Sequence, residues 1–122
     1  MKDGTDKMDN EVKKMSHEDL EMVCMEIISN SGEARAHVYT ALDLFLDDKY
    51  EEADKELAEA DEFLHAAHIA QFTKLMAYQM NGGKLEFELL IIHALDQLMV
   101  TSTERDLTRH AIDAKLRKKT SK

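Results

Sequence analysis

The chain contains no proline and only four glycines. The residues that interrupt helices most strongly are therefore scarce, and long unbroken helices are permitted along most of its 122 residues. Tryptophan is absent and aromatics make up 6% of the residues. That is too few for the aromatic-centred core of a β-sandwich. A single cysteine, Cys24, excludes an intrachain disulfide and fits a reducing compartment. In the run Met22-Val23-Cys24-Met25 it reads as a small core residue and not as a nucleophile. No apolar run reaches the roughly 18 residues that a membrane-crossing helix needs. The N-terminus lacks the apolar stretch of a secretory signal. A cytoplasmic protein with no membrane insertion is expected.

Hydrophobic residues make up 43% of the chain and charged residues 34%, enough for one core under a solvated surface. The formal net charge of −9 repels a phosphate backbone, so nucleic acid is not expected as a partner. The charge suits a partner with a basic docking face, and it also serves plain solubility.

Residues 1–15 are polar and aperiodic and read as a flexible arm, with a short tail at 119–122. The domain is expected at 16–118. Ser16 followed by Asp19 gives a weakened capping box for a first helix. Leu20, Val23, Cys24, Ile27, Ser31, Ala34, Val38, Ala41, Leu42 and Phe45 then recur at helical spacing, running straight through Asn30-Ser31-Gly32. Asp47-Asp48-Lys49 makes a tight connection. A second helix over 50–80 carries the seam Tyr50, Ala53, Leu57, Ala60, Leu64, Ala67, Gln71, Leu75 and Tyr78, and Asn81-Gly82-Gly83 ends it.

A third helix is expected over 84–118. Leu85, Leu89, Ile92, Asp96, Met99 and Thr103 form one stripe, while Phe87, Leu90, Ile91, Ala94, Leu95 and Leu98 cover most of the remaining circumference. Two neighbouring helices cannot surround such a helix, so self-association through its first half is expected. At about 30 residues each, the helices are roughly 45 Å long. Short connections make neighbours antiparallel, which gives an all-α, up-down-up three-helix bundle.

Of the six histidines, His93 stands in the apolar run Leu89-Leu90-Ile91-Ile92, with Asp96 and Gln97 one turn further on the same face. Polar groups in an apolar helix carry a desolvation cost unless satisfied. A structural and a functional histidine remain equally open on these residues alone. His65 and His68 lie three apart on the second helix and would hold a metal only with ligands from another helix. His68 reads as flanking a site, His65 as a surface residue, and His17, His37 and His110 as solvated. Glu62-Phe63-Leu64-His65 is a single Glu-x-x-His, where a ferritin-like diiron centre needs two on four helices. No glycine-rich phosphate loop, Cys-x-x-Cys, His-Glu-x-x-His or nucleophile elbow is present.

Three stretches carry a family resemblance: Ile27 to Arg35 (IISNSGEAR), Ala66 to Leu75 (AAHIAQFTKL) and Phe87 to Ser102 with IIHALDQLM at its centre. In this order and spacing the chain resembles the lactose/cellobiose/chitobiose IIA proteins of the bacterial phosphotransferase system. The resemblance implies a homotrimer of three-helix bundles. It implies that His93 accepts a phosphoryl group from the phosphohistidine of the carrier HPr and passes it to a cysteine of a IIB domain. It further implies that Asp96 lies near the threefold axis, where three copies share a divalent cation, expected to be Mg2+. A neutral imidazole is a good nucleophile near physiological pH, and transfer between near-equal phosphohistidines asks for positioning above all. This chain departs from the family pattern at Leu95, where glutamine is usual, and at Gln97, where histidine is usual. Because Gln97 cannot be protonated near pH 7, a binding or phospho-sensing protein with impaired transfer stands as the alternative reading. A helical metal-binding protein using His65, His68 and carboxylates is the third.

Overall fold

The computed structural model describes residues 15–84 and 88–120, and all secondary structure among them is helical. Helix α1 spans His17–Leu46. Helix α2 is Tyr50–Ala70, continued by a π-helical stretch Gln71–Met76 and a last α-turn Ala77–Met80. Helix α3 spans Leu89–Thr120. The expected arm lies outside the described residues except for Met15, which packs against the core instead of extending away.

Capping chemistry sets the ends. Ser16 Oγ accepts the Asp19 amide at 3.0 Å, satisfying one orphan donor of α1. The helix runs without a break through Asn30-Ser31-Gly32, as its apolar phase requires. At its other end Lys49 N donates to Leu44 O (2.9 Å) and Asp48 N to Phe45 O (3.0 Å). This is a Schellman cap, with Asp48 in the left-handed region at φ 61. The same cap closes the second helix: Gly83 N donates to Tyr78 O, Gly82 N to Gln79 O, and Gly82 has φ 91.

Two boundaries of the third helix differ from expectation. Lys84 and Glu88 are not helical, and α3 starts at Leu89, not near Lys84. Glu88 is the entry residue: its carbonyl accepts the Ile92 amide while its carboxylate is held by His17. At the far end the helix continues to Thr120, so Lys119 is helical, paired with Glu51, and not part of a loose tail.

The seam of α2 also changes phase. Ala53, Leu57, Ala60, Leu64 and Ala67 are buried as the pattern predicts. Beyond them Ala70 and Leu75 are buried, whereas Gln71 is half-exposed. Residues five apart share a face only across a π-turn, and Ala77 N donates to Phe72 O in that register. The wider turn keeps the seam on the core after a strict seven-residue repeat has begun to drift around the helix.

The buried side chains form two clusters. One joins Cys24 and Ile27 to Leu64, Ala67, Ala94 and Leu98. The other joins Val38 and Ala41 to Leu57, Ala60 and Ile112. Charged pairs lock α2 to α3. Arg105 grips Asp61 with both arms of its fork (2.6 and 2.8 Å), Arg109 binds Asp54, and Lys119 binds Glu51. Contacts that advance along α2 retreat along α3. Between α1 and α2, Glu26 meets Lys74 while His37 meets Glu56, again in opposed order.

Leu57 is fully buried, so Leu57→Ala is expected to cost about 2–5 kcal/mol in urea unfolding. Gly82→Ala places a Cβ in the left-handed region and should cost about 1–2 kcal/mol by the same measurement. A neutral result at Gly82 would show that this cap does not close the helix.

Candidate functional site

The apolar excess of the third helix is visible in the folded chain. Ala94, Leu98, Thr101 and Ile112 face the core. The stripe expected to self-associate faces outward: Leu89 is 77% exposed, Ile92 39% and Met99 67%, with Val100 (50%) beside them. Asp96 and Thr103 are exposed on the same stripe.

His93 sits at the edge of this face. Its ring is exposed and has no hydrogen-bond or ion-pair partner among the described residues, so it is not a histidine satisfied within the core. Asp96, one turn on, is likewise exposed and has no partner among the described residues. Gln97, four residues after His93, is half-buried and lies against α1. Its Nε2 is 3.6 Å from where a Cβ would stand on Gly32. Gly32 looks like a weak spot for helix in the sequence alone; in the fold it faces the Gln97 carboxamide, at a distance that would leave even a Cβ in ordinary contact. Leu95 is half-buried and packs against the core cluster, on the opposite flank.

Further along the α1–α3 contact, Arg35 Nη2 donates to Glu104 Oε2 (3.3 Å) and to Tyr39 OH (2.9 Å), and Tyr39 OH donates to the same carboxylate (2.7 Å). Arg35 Nε lies 2.9 Å from Glu104 Oε1 as an ion pair without the alignment of a hydrogen bond. The Tyr39 hydroxyl and the Glu104 carboxylate both hold the Arg35 guanidinium in its charged form. This network fixes α3 against α1.

The other histidines divide differently from expectation. His37 is not solvated: it is half-buried, stacked on Phe63 at 5.4 Å and bonded to Glu56. His17 is exposed but bound on both ring nitrogens, to Glu88 (3.0 Å) and Glu21 (3.1 Å). His110 is exposed. His65 and His68 line a cleft of about 290 Å3 with Asp61, Ser102, Arg105 and Asp106. His68 stacks on Phe72 and lies 3.4 Å from Ser102 Oγ, which donates to the Leu98 carbonyl at 2.8 Å. The carboxylates of the cleft are engaged by Arg105, whose guanidinium Asp61 holds in its charged form. No group of three metal-ligating side chains occurs among the described residues. Cys24 is fully buried, and burial pushes its thiol pKa up, as befits a core residue.

The sequence of this chain matches the family model "PTS system, Lactose/Cellobiose specific IIA subunit" over residues 22–115. It is 33% identical over 99 residues to the lactose-specific EIIA component of Staphylococcus epidermidis, covering 81% of this chain and 94% of that one. It is 34% identical over 96 residues to the N,N'-diacetylchitobiose-specific EIIA component of Escherichia coli, covering 79% and 82%. Among solved structures it resembles PtcA from S. mutans, with a TM-score of 0.79 and 36% identity, covering 82% of this chain and 97% of the other. It also resembles the cellobiose-specific enzyme IIA of Bacillus anthracis, with a TM-score of 0.74 and 31% identity, covering 89% and 97%. Among the described residues no helix is long and apolar enough to cross a membrane.

The Glu88 contact raises the His17 pKa above its ordinary 6.5, with Glu21 adding to the effect. A raised folded pKa stabilises below the unfolded value, and this contribution fades as pH climbs through the folded value. NMR titration of the His17 ring should therefore give a midpoint above 6.5 that falls in Glu88→Gln. An unmoved midpoint in that variant would show that the connection into α3 is not held by this pair.

Proposed function

The chain belongs to the lactose/cellobiose-specific IIA family of the phosphotransferase system, and from that premise we propose that it is a phosphocarrier bearing its phosphoryl group on His93. The observation that carries this reading is the open His93, without a partner among the described residues, at the edge of a helix face that exposes Leu89, Ile92 and Met99. A ring nitrogen of neutral His93 donates its lone pair to phosphorus, forming an N–P bond. The bond to the nitrogen of the donor's phosphohistidine breaks, and that imidazole keeps the electron pair. The donor is phospho-HPr. In the next transfer a IIB cysteine thiolate attacks the same phosphorus and His93 recovers its lone pair. Both exchanges pass between reactive phosphoryl carriers, so the protein supplies positioning and access in the main. The sugar is a disaccharide of the lactose, cellobiose or chitobiose type, and the protein works in the cytoplasm.

The working unit is a homotrimer of up-down-up bundles. The opposed order of the contacts between successive helices supports the bundle. The exposed stripe of Leu89, Ile92 and Met99 supports the trimer, because apolar surface of this extent gains from burial. Asp96 lies on that stripe and offers only oxygen donors, which suits a hard divalent cation such as Mg2+. One chain cannot complete such a site, so it would be held by Asp96 from each of three copies. The cation would offset the mutual repulsion of the three carboxylates.

Incubation of the protein with phospho-HPr is expected to add one acid-labile phosphoryl group by mass, and His93→Ala should take up none. A wild-type protein that gains no mass under these conditions would rule the carrier role out. Sedimentation should report a trimer, and Met99→Glu should shift it toward monomer while helicity by circular dichroism is kept. A monomeric wild type at tens of micromolar would contradict the assembly.

A further inference from the structure

We infer that His17 is a positioning residue for His93: in its charged form it ties α1 to Glu88 and so holds the start of the helix that carries His93. The inference rests on the phosphocarrier reading and deepens it. His17 Nδ1 lies 3.0 Å from a Glu88 carboxylate oxygen, and Nε2 lies 3.1 Å from one of Glu21. A neutral imidazole has one N–H and one bare lone pair. In that form one of the two nitrogens would turn its lone pair on a carboxylate. Only the imidazolium, with a donor on each nitrogen, suits both contacts at once. Glu21 belongs to α1, and Glu88 stands immediately before α3. The ring therefore joins two elements whose contacting residues are 71 positions apart. Glu21 and Glu88 are the charged groups that reach it among the described residues, and both favour its charged form.

What Glu88 holds bears directly on His93. The Glu88 carbonyl accepts the Ile92 amide at 3.3 Å, a bond that opens α3. His93 is the next residue. With Glu88 anchored, that carbonyl is fixed and the first turn is closed. With Glu88 released, the turn frays as free helix ends do, and the His93 ring spends less time where a donor's phosphorus can meet it. When His17 gives its proton to water, the Glu88 contact loses the ion pair and keeps at most one ordinary hydrogen bond. Because the folded pKa is raised, the hold is complete at low pH and fades as pH climbs through a midpoint above 6.5.

The test is single-turnover transfer from phospho-HPr to the intact protein, read by mass from about pH 6 to 9. The ratio of wild-type to His17→Ala rates cancels the titrations of His93 and of the donor, which both proteins share. It should be about 2- to 5-fold at the acid end, the size an exposed ion pair supports, and fall toward one at the alkaline end. Glu88→Gln should give the same profile. His17→Lys, charged throughout this range, should keep the acid-end advantage without the fade. A purely structural role for His17 would shift the ratio equally at every pH. Amide exchange at Ile92, normalised to its intrinsic rate, should also quicken in His17→Ala at the acid end. A ratio that does not change with pH, or unaltered exchange at Ile92, overturns this inference alone while His93 is still phosphorylated. No phosphorylation of the wild type, or equal phosphorylation of His93→Ala, overturns the carrier reading and this inference with it.

Discussion

Helix α3 carries more apolar surface than its two neighbours can cover, and much of the molecule follows from that. Its inner face, with Ala94, Leu98 and Ile112, closes the core against α1 and α2. Its outer face leaves Leu89, Ile92 and Met99 in solvent. His93 stands on the border between the two. A ring placed fully inward would be sealed among Ala94 and Leu98. A ring in the middle of the outer stripe would be covered by whatever packs there. The border position leaves it open in the folded chain.

The fold then has to hold this border still. Arg105 and Arg109 clamp α3 to α2 through Asp61 and Asp54, and Arg35 with Tyr39 binds Glu104 from α1. Exposed ion pairs contribute little to stability singly. A bidentate fork nonetheless fixes register, because a slip by one turn would separate every pair at once. The π-turn in α2 acts toward the same end. It brings Leu75 back onto the core cluster that also holds Ala94 and Leu98.

Small residues decide how close the helices come. Cys24, Ala34, Ala67, Ala70 and Ala94 are all fully or almost fully buried. Their short side chains let the backbones approach. Gln97 lies at the rim of this packing, facing Gly32. A polar group there tolerates partial exposure, whereas an apolar one would extend the outer stripe toward α1.

Composition and periodicity were enough to establish three helices, the cap at Ser16, the turn at Asp47 to Lys49 and the surplus of apolar surface on the last helix. These are local properties, decided by which residues break helices and how apolar side chains recur along one. The three motifs in order were enough for the family, and they singled out His93 and Asp96. Only tertiary structure decided the rest. The start of α3 at Leu89 depends on Glu88 meeting His17, 71 residues away in the chain. The burial of Ala70 in place of Gln71 depends on a change of helical register that no local spacing announces. His37 looked solvated among charged neighbours because its real neighbours, Phe63 and Glu56, lie on another helix. The meeting of Gly32 and Gln97 belongs to this second kind. It arises where two surfaces meet, and a pattern along one strand of sequence does not encode the distance between two helices.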